Sequence, residues 1–137
     1  MNAPTTTRPT GGLHIGLWVA QVLLAVAFGM SGAMKLVTPI DQLAEKMTWI
    51  ASTGPLVRFI GLSEVAGALG MLLPSALRIK PVLTPVAALG FVVIMVLAGG
   101  VHASRGEFGV IGANVVLGGL AAFVAFGRLK KAPIPPK

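Results

Sequence analysis

The chain has 137 residues, of which 55% are hydrophobic and only 11% are charged, and its mean hydropathy is +0.87. Soluble domains carry about 25% charged residues, so this composition excludes an ordinary soluble domain and indicates an integral membrane protein. The sequence has no cysteine, which excludes disulfides, iron–sulfur ligation and thiol catalysis by this chain. The net charge of +7 comes from bases scattered over predicted loops and tails, which favours anionic lipid headgroups and not nucleic acid as the partner.

Four apolar stretches are each long enough to cross a hydrocarbon core of about 30 Å as a helix. They are uniformly apolar and rich in Gly and Ala, which is typical of membrane helices and not of barrel strands. The first stretch resembles a signal peptide, but its apolar run is too long for a signal core, so we expect a retained helix. The sequence therefore predicts an all-α, integral membrane four-helix bundle. The predicted spans are residues 13–36, 56–73, 82–101 and 110–126.

Positive charge predicts the orientation of the spans. The side with both termini and the second loop has only bases, whereas the other side mixes bases with acids. By the positive-inside rule both termini are cytoplasmic, and we expect the bacterial inner membrane. A single transmembrane domain, 13–128, then lies between a cytoplasmic tail, 1–12, and a basic, proline-rich cytoplasmic tail, 129–137. The bases on the predicted cytoplasmic side are Arg8, Arg78, Lys80, Arg128, Lys130, Lys131 and Lys137.

The long loop between the first and second spans predicts a helix of its own. Thr38 is the expected N-cap, with Pro39 at the first helical position. Leu43, Met47 and Ile50 recur at i, i+4 and i+7, with polar residues between them. We expect an amphipathic helix at the outer membrane interface. It is either a lid or partner-docking element, or a connector that lies on the headgroups.

Glu64 is the only acid within a predicted span. A charged side chain in the bilayer is costly unless it faces protein, a partner or water, so Glu64 is a candidate functional residue. Two structural alternatives stay open, a neutral protonated glutamate and an ion pair between helices. Lys35 ends the first span at the outer side, and its stem can extend towards Glu64. We therefore predict that these two side chains interact.

Four polar side chains are predicted to lie in the outer half of the bundle, because successive helices alternate in direction. Glu64 lies about 12 Å below the outer end of its helix, and Asn114 lies about 7 Å below the outer end of the fourth. With Lys35 and His102 they form a predicted polar ligand pocket. Secondary candidates are Ser31, Met95 and Glu107.

His102 is the expected proton-exchanging group, since imidazole titrates near neutral pH, although an ordinary residue at a helix end is the alternative. His14 lies at the opposite end of the bundle, so the pair cannot ligate one haem or one metal, and no metal site is predicted. The sequence contains no nucleotide-binding or nucleophile motif. We expect no complete active site in this chain alone.

An ordered set of short motifs runs through almost the whole chain. The set comprises SGAMKL (31–36), FIG (59–61) followed by Glu64, LTP (83–85), His102, Glu107, Asn114 and AFGR (125–128). Together these motifs resemble the DoxX-like family of small four-helix bacterial membrane proteins. The resemblance implies a role beside membrane redox complexes, because the family is named after a subunit of a thiosulfate:quinone oxidoreductase. The cysteine pairs of some redox-active members are absent.

Three functions follow as hypotheses. The first is an accessory subunit of a membrane redox assembly, whose pocket binds a quinone-like ligand, since Lys, His, Asn and Glu supply hydrogen bonds and a proton source. The alternative is a non-catalytic scaffold or assembly-factor subunit. A proton-coupled carrier is the third and least supported, because no inverted repeat is evident. We expect no intrinsic cofactor, and a quinone is the candidate bound cofactor. The expected partners are the lipid bilayer and either other membrane subunits or further copies of this chain in a homo-oligomer.

Overall fold

The computed structural model describes residues 11–137, in which every regular element is helical. Two short helices and two helical turns accompany the long helices. In chain order the elements are α1 (Gly11–Val37), α2 (Ile40–Lys46), α3 (Ile50–Thr53), α4 (Leu56–Leu77), α5 (Leu83–Ser104), a 3₁₀ turn (Phe108–Val110), α6 (Ile111–Phe126) and a π-helical turn (Gly127–Lys131). We call the end of the bundle that carries the start of α1 and the π-helical turn the termini end, and the opposite end the α2–α3 end.

Four helical segments are long and apolar enough to cross a membrane, which confirms the predicted four-helix membrane bundle. Except for the start of the second segment, their boundaries differ from the predicted ones by one to five residues. The first segment begins at Gly11, inside the predicted N-terminal tail, and the fourth continues to Lys131, inside the predicted C-terminal tail. The rest of the N-terminal tail, with Arg8, lies outside the described residues. The segments are Gly11–Val37, Leu56–Leu77, Leu83–Ser104 and Phe108–Lys131.

Glycines set how closely the long helices pack. A Cβ atom at Gly32 of α1 would lie 2.6 Å from the carbonyl oxygen of Gly61 in α4, so the two backbones touch there. Gly67 of α4 likewise leaves room for the ring of Phe91, where a Cβ would come within 2.5 Å of its Cε1 atom. Phe91 stacks on Phe28 of α1, with ring centroids 3.9 Å apart. Small residues thus bring three helices together, as is typical of membrane bundles.

The predicted interfacial helix is two short helices, and the Thr38 cap is wrong. Pro39 precedes α2, which has no side-chain cap, and Met47 ends it with an extended backbone. Leu43 and Ile50 are both fully buried with Val57 of α4. The bend between α2 and α3 allows both side chains to reach this cluster. The apolar side of the loop therefore packs against α1 and α4.

The C-terminal residues fold back onto the loop between α4 and α5. Arg78 donates from Nε to the carbonyl of Pro135 at 2.9 Å. The backbone N–H of Lys137 donates to the carbonyl of Arg78 at 3.0 Å. These bonds bring the proline-rich tail and the basic α4–α5 loop together at the termini end.

Candidate functional site

Lys35 and Glu64 form the predicted ion pair. The Nζ atom of Lys35 lies 2.9 Å from Oε2 and 3.1 Å from Oε1 of Glu64. Ser31, one turn earlier on α1, accepts a hydrogen bond from Lys35 and donates to Glu64 Oε2 at 3.1 Å. The two charged side chains are only 8% and 4% exposed. The secondary candidate Ser31 thus belongs with the two primary ones.

The contact between Gly32 and Gly61 explains why the pair forms at this depth. Lys35 and Glu64 each follow their glycine by three residues, so they lie one turn from the point where the backbones touch. A Cβ at Gly61 would also meet the Cβ of Lys35 at 2.8 Å. The helices are therefore too close for a ligand to enter between the charges. No buried polar atom of either side chain lacks a partner among residues 11–137.

Arg58 binds the last carbonyls of α1 at the α2–α3 end and was not singled out from the sequence. Its Nη1 atom donates to the carbonyl of Lys35 at 2.7 Å and to that of Thr38 at 2.8 Å. The last carbonyls of a helix have no partner within the helix, so a cation at this position satisfies them and complements the helix dipole.

His102 and Glu107 form a second polar group at the α2–α3 end. The Nδ1 atom of His102 lies 2.6 Å from Glu107 Oε2, while Arg105 Nε and Thr48 Oγ1 each donate to Oε1 at 3.0 Å. The hydrogen bonds from His102, Arg105 and Thr48, in decreasing order of effect, lower the pKa of Glu107 to about 2. Glu107 is therefore ionised at neutral pH and joins the end of α5 to the segment between α2 and α3.

Asn114 and Met95 lie on a groove between α5 and α6. The groove has a volume of about 300 Å³ and is lined almost entirely by apolar residues. The Nδ2 atom of Asn114 is buried and has no acceptor among the described residues. A Cβ at Gly99 of α5 would lie 4.0 Å from this nitrogen. The lining residues are Val92, Met95, Val96, Gly99, Ile111, Asn114, Val115 and Gly118.

The structure thus distributes the predicted polar pocket over three groups. Lys35, Glu64 and Ser31 join α1 to α4. His102 and Glu107 bind each other at the end of α5. No hydrogen bond links either group to Asn114 or to each other in the part of the chain that the structure describes.

A fourth polar group at the termini end was missed by the sequence analysis. Arg128 of the π-helical turn is only 3% exposed. Its Nε atom donates to Gln21 Oε1 at 2.7 Å, and its Nη1 atom lies 3.1 Å from Nδ1 of His14. Trp18 Nε1 lies 3.2 Å from the other ring nitrogen of His14. His14, Trp18 and Gln21 share one face of α1 at spacings of four and three residues, and this pattern could have indicated the group.

Comparison with known proteins decides the family. A model of the DoxX-like family matches residues 19–124, which include Lys35, Glu64, His102 and Asn114. The chain belongs to the DoxX-like family. With four apolar helices, this DoxX-like protein is a multi-pass membrane protein. No curated protein and no solved structure matches the chain.

Proposed function

We propose that this DoxX-like protein is an accessory subunit of a membrane redox assembly and that the α5–α6 groove binds a quinone-like ligand. The proposal includes the bacterial inner membrane as the location, with both termini in the cytoplasm. One observation carries the proposal, namely the unpaired amide nitrogen of Asn114 beside an apolar groove.

The chemistry of the groove suits a ligand that is apolar except for hydrogen-bond acceptors. A buried donor without a partner costs about 1–3 kcal/mol, and a carbonyl oxygen would satisfy it. A quinone ring offers two such oxygens on an apolar body. The groove volume of about 300 Å³ lies at the small end of ligand sites, which suits a ring and not a large cofactor. Met95 provides a thioether that packs favourably against rings.

His102 completes this proposal as the proton-exchanging residue. It lies three residues after Gly99 on α5, so it is one turn from the groove. Glu107 binds its Nδ1 atom and fixes the ring, which leaves Nε2 to exchange a proton. Quinone reduction consumes protons, and a histidine at the end of a span can take them from the aqueous side.

A scaffold or assembly-factor subunit is the second function, and the Lys35–Glu64 pair favours it. The pair is fully hydrogen-bonded and closed by the Gly32–Gly61 contact, so it is suited to fixing the register of α1 and α4. Under either function we assign this pair to the structure of the bundle. The two functions therefore differ in whether the α5–α6 groove binds a ligand.

The test measures binding of a short-chain quinone to purified protein in lipid nanodiscs. Asn114→Leu keeps a similar volume and removes the donor, so we expect at least about tenfold weaker binding, the equivalent of one lost hydrogen bond. Val116→Ala, on an exposed face of α6 outside the groove, is the matched control and should bind as the wild type does. Equal binding by the Asn114 variant, or no binding by the wild type, would leave the scaffold function.

A further inference from the structure

Arg128 carries a buried positive charge that no acid of this chain neutralises. The sequence has four acids. Glu64 is paired with Lys35 and Glu107 with Arg105, both away from the termini end. The other two, Asp41 and Glu45, lie in α2 at the α2–α3 end. An unpaired charge is costly to bury, so a counter-ion from outside the chain is expected at Arg128.

The hydrogen bonds of Arg128 independently indicate that an acceptor from outside the chain is missing. Arginine has five N–H donors, and the Nη2 atom of Arg128 is buried without an acceptor among residues 11–137. Both ring nitrogens of His14 face donors, from Trp18 and from Arg128. A neutral imidazole accepts at only one nitrogen, so one of these two N–H groups cannot donate to His14. The group formed by His14, Trp18, Gln21 and Arg128, which we call the Arg128 group, therefore has too few acceptors among the residues that the structure describes.

We infer that the Arg128 group binds a phosphate group, as the headgroup of an anionic phospholipid or as a free anion. A phosphate has only acceptor oxygens, carries the missing charge and matches the planar fork of a guanidinium. The group lies at the end of two predicted spans, next to the exposed bases Lys130 and Lys131. Basic pockets between membrane helices at this level are typical sites for lipid headgroups.

The π-helical turn and Ala132 pack against the Arg128 group. The carbonyl of Ala132 accepts from Arg128 Nη1 at 3.0 Å, and Ala132 is fully buried. This residue follows the π-helical turn, and its N–H bonds back to the carbonyl of Gly127 at 2.7 Å. Single π-helical turns are often found at functional sites. Because Nη2 is buried, a phosphate can reach it only if the atoms around it shift.

The experiment measures thermal unfolding of delipidated protein in detergent with three additions. These are phosphatidylglycerol, a galactosyl diacylglycerol with the same acyl chains but no phosphate, and inorganic phosphate. We expect phosphatidylglycerol to raise the midpoint by several degrees and the galactolipid to leave it unchanged. If inorganic phosphate protects as well, the site takes the free anion; if only phosphatidylglycerol protects, the headgroup is the ligand. If neither phosphatidylglycerol nor inorganic phosphate raises the midpoint, the inference is overturned, and a carboxylate of a partner protein is the remaining acceptor for Arg128.

Two arginine variants separate a specific site from general attraction. Arg128→Gln and Arg78→Gln remove the same charge at the same end, but Arg78 is exposed. We expect at least about tenfold weaker phosphatidylglycerol binding only for the Arg128 variant. Equal losses for the two would overturn the inference in favour of diffuse electrostatics. If Arg128→Gln does not fold, Arg128→Lys serves instead, because lysine keeps the charge and loses the bidentate fork.

A spectroscopic measurement on the folded protein tests the same site without altering Arg128. The guanidinium carbon lies 5.5 Å from the centroid of the Trp18 ring. In a Trp49→Phe background Trp18 is the only tryptophan, and its emission should shift as phosphatidylglycerol binds. An emission spectrum that does not respond at lipid concentrations that saturate binding would place the lipid elsewhere.

Discussion

Breaking the Lys35–Glu64 pair from either side should destabilise the bundle much more than removing it entirely. Glu64→Gln leaves a lysine that is 8% exposed without its counter-charge, and Lys35→Met leaves a carboxylate that is 4% exposed. Loss of one partner from a buried pair costs about 3–5 kcal/mol. Replacing both removes the unpaired charge, so we expect the double variant to recover most of this loss, which makes the coupling energy larger than the cost of either single change.

The assay is reversible unfolding of purified protein in mixed micelles, followed by helical circular dichroism. Ser31 should not mask the effect, because its hydroxyl satisfies a glutamine at position 64 but supplies no charge. Glu45→Gln and Lys46→Met, both exposed on α2, are matched controls that change the same charges. Exposed pairs contribute about 0.2–1 kcal/mol, so both controls should be small. If the losses at Lys35 and Glu64 are small and additive, the argument for a buried pair is wrong.

Three further predictions concern packing, pH and topology. Gly61→Ala should destabilise the bundle by about 1–3 kcal/mol, because the added Cβ overlaps the backbone of α1. Gly90→Ala is the control and should be neutral or stabilising, because no atom lies within 4 Å of the added Cβ. Equal melting temperatures for the two variants would contradict the close contact. A carboxyl group whose pKa falls on folding stabilises the folded state at pH values above its unfolded pKa. The difference in unfolding free energy between the wild type and Glu107→Gln should therefore be constant near neutral pH and disappear between about pH 4.5 and about 2 in acid titrations. A difference that is unchanged at pH 2 would refute the low pKa of Glu107. Single cysteines at Lys137 and Glu45 should be labelled from opposite sides of the membrane, and labelling of both from the periplasm would contradict cytoplasmic termini.

The ion pair could be predicted from the sequence because few other charged residues lie at the same depth in the predicted spans. Glu64 is the only acid in an apolar run, and Lys35 is the base whose depth and stem allow contact. The two short helices of the loop could not be predicted in the same way. The spacing of Leu43, Met47 and Ile50 fits one amphipathic helix, but burial on Val57 is a tertiary effect that periodicity does not contain.

The Arg128 group was missed because it joins distant parts of the chain. Gln21 and Arg128 are 107 residues apart in sequence, and each alone is an ordinary residue for the end of a span. Charge counting placed Arg128 among the bases of the predicted cytoplasmic side, and nothing in that count indicates that the residue is only 3% exposed. Only the π-helical turn, which continues the last span beyond the predicted 126, brings its guanidinium back onto α1.

The contact between Gly32 and Gly61 also constrains how the bundle can move. Because the backbones of α1 and α4 touch there, sliding either helix by one residue would drive a Cβ atom into the opposing main chain. The same slip would draw Lys35 away from Glu64. Both the backbone contact and the ion pair therefore oppose lengthwise sliding of these two helices. Any motion that widens the α5–α6 groove must therefore come from α5 and α6, with α1 and α4 acting as the fixed half of the protein.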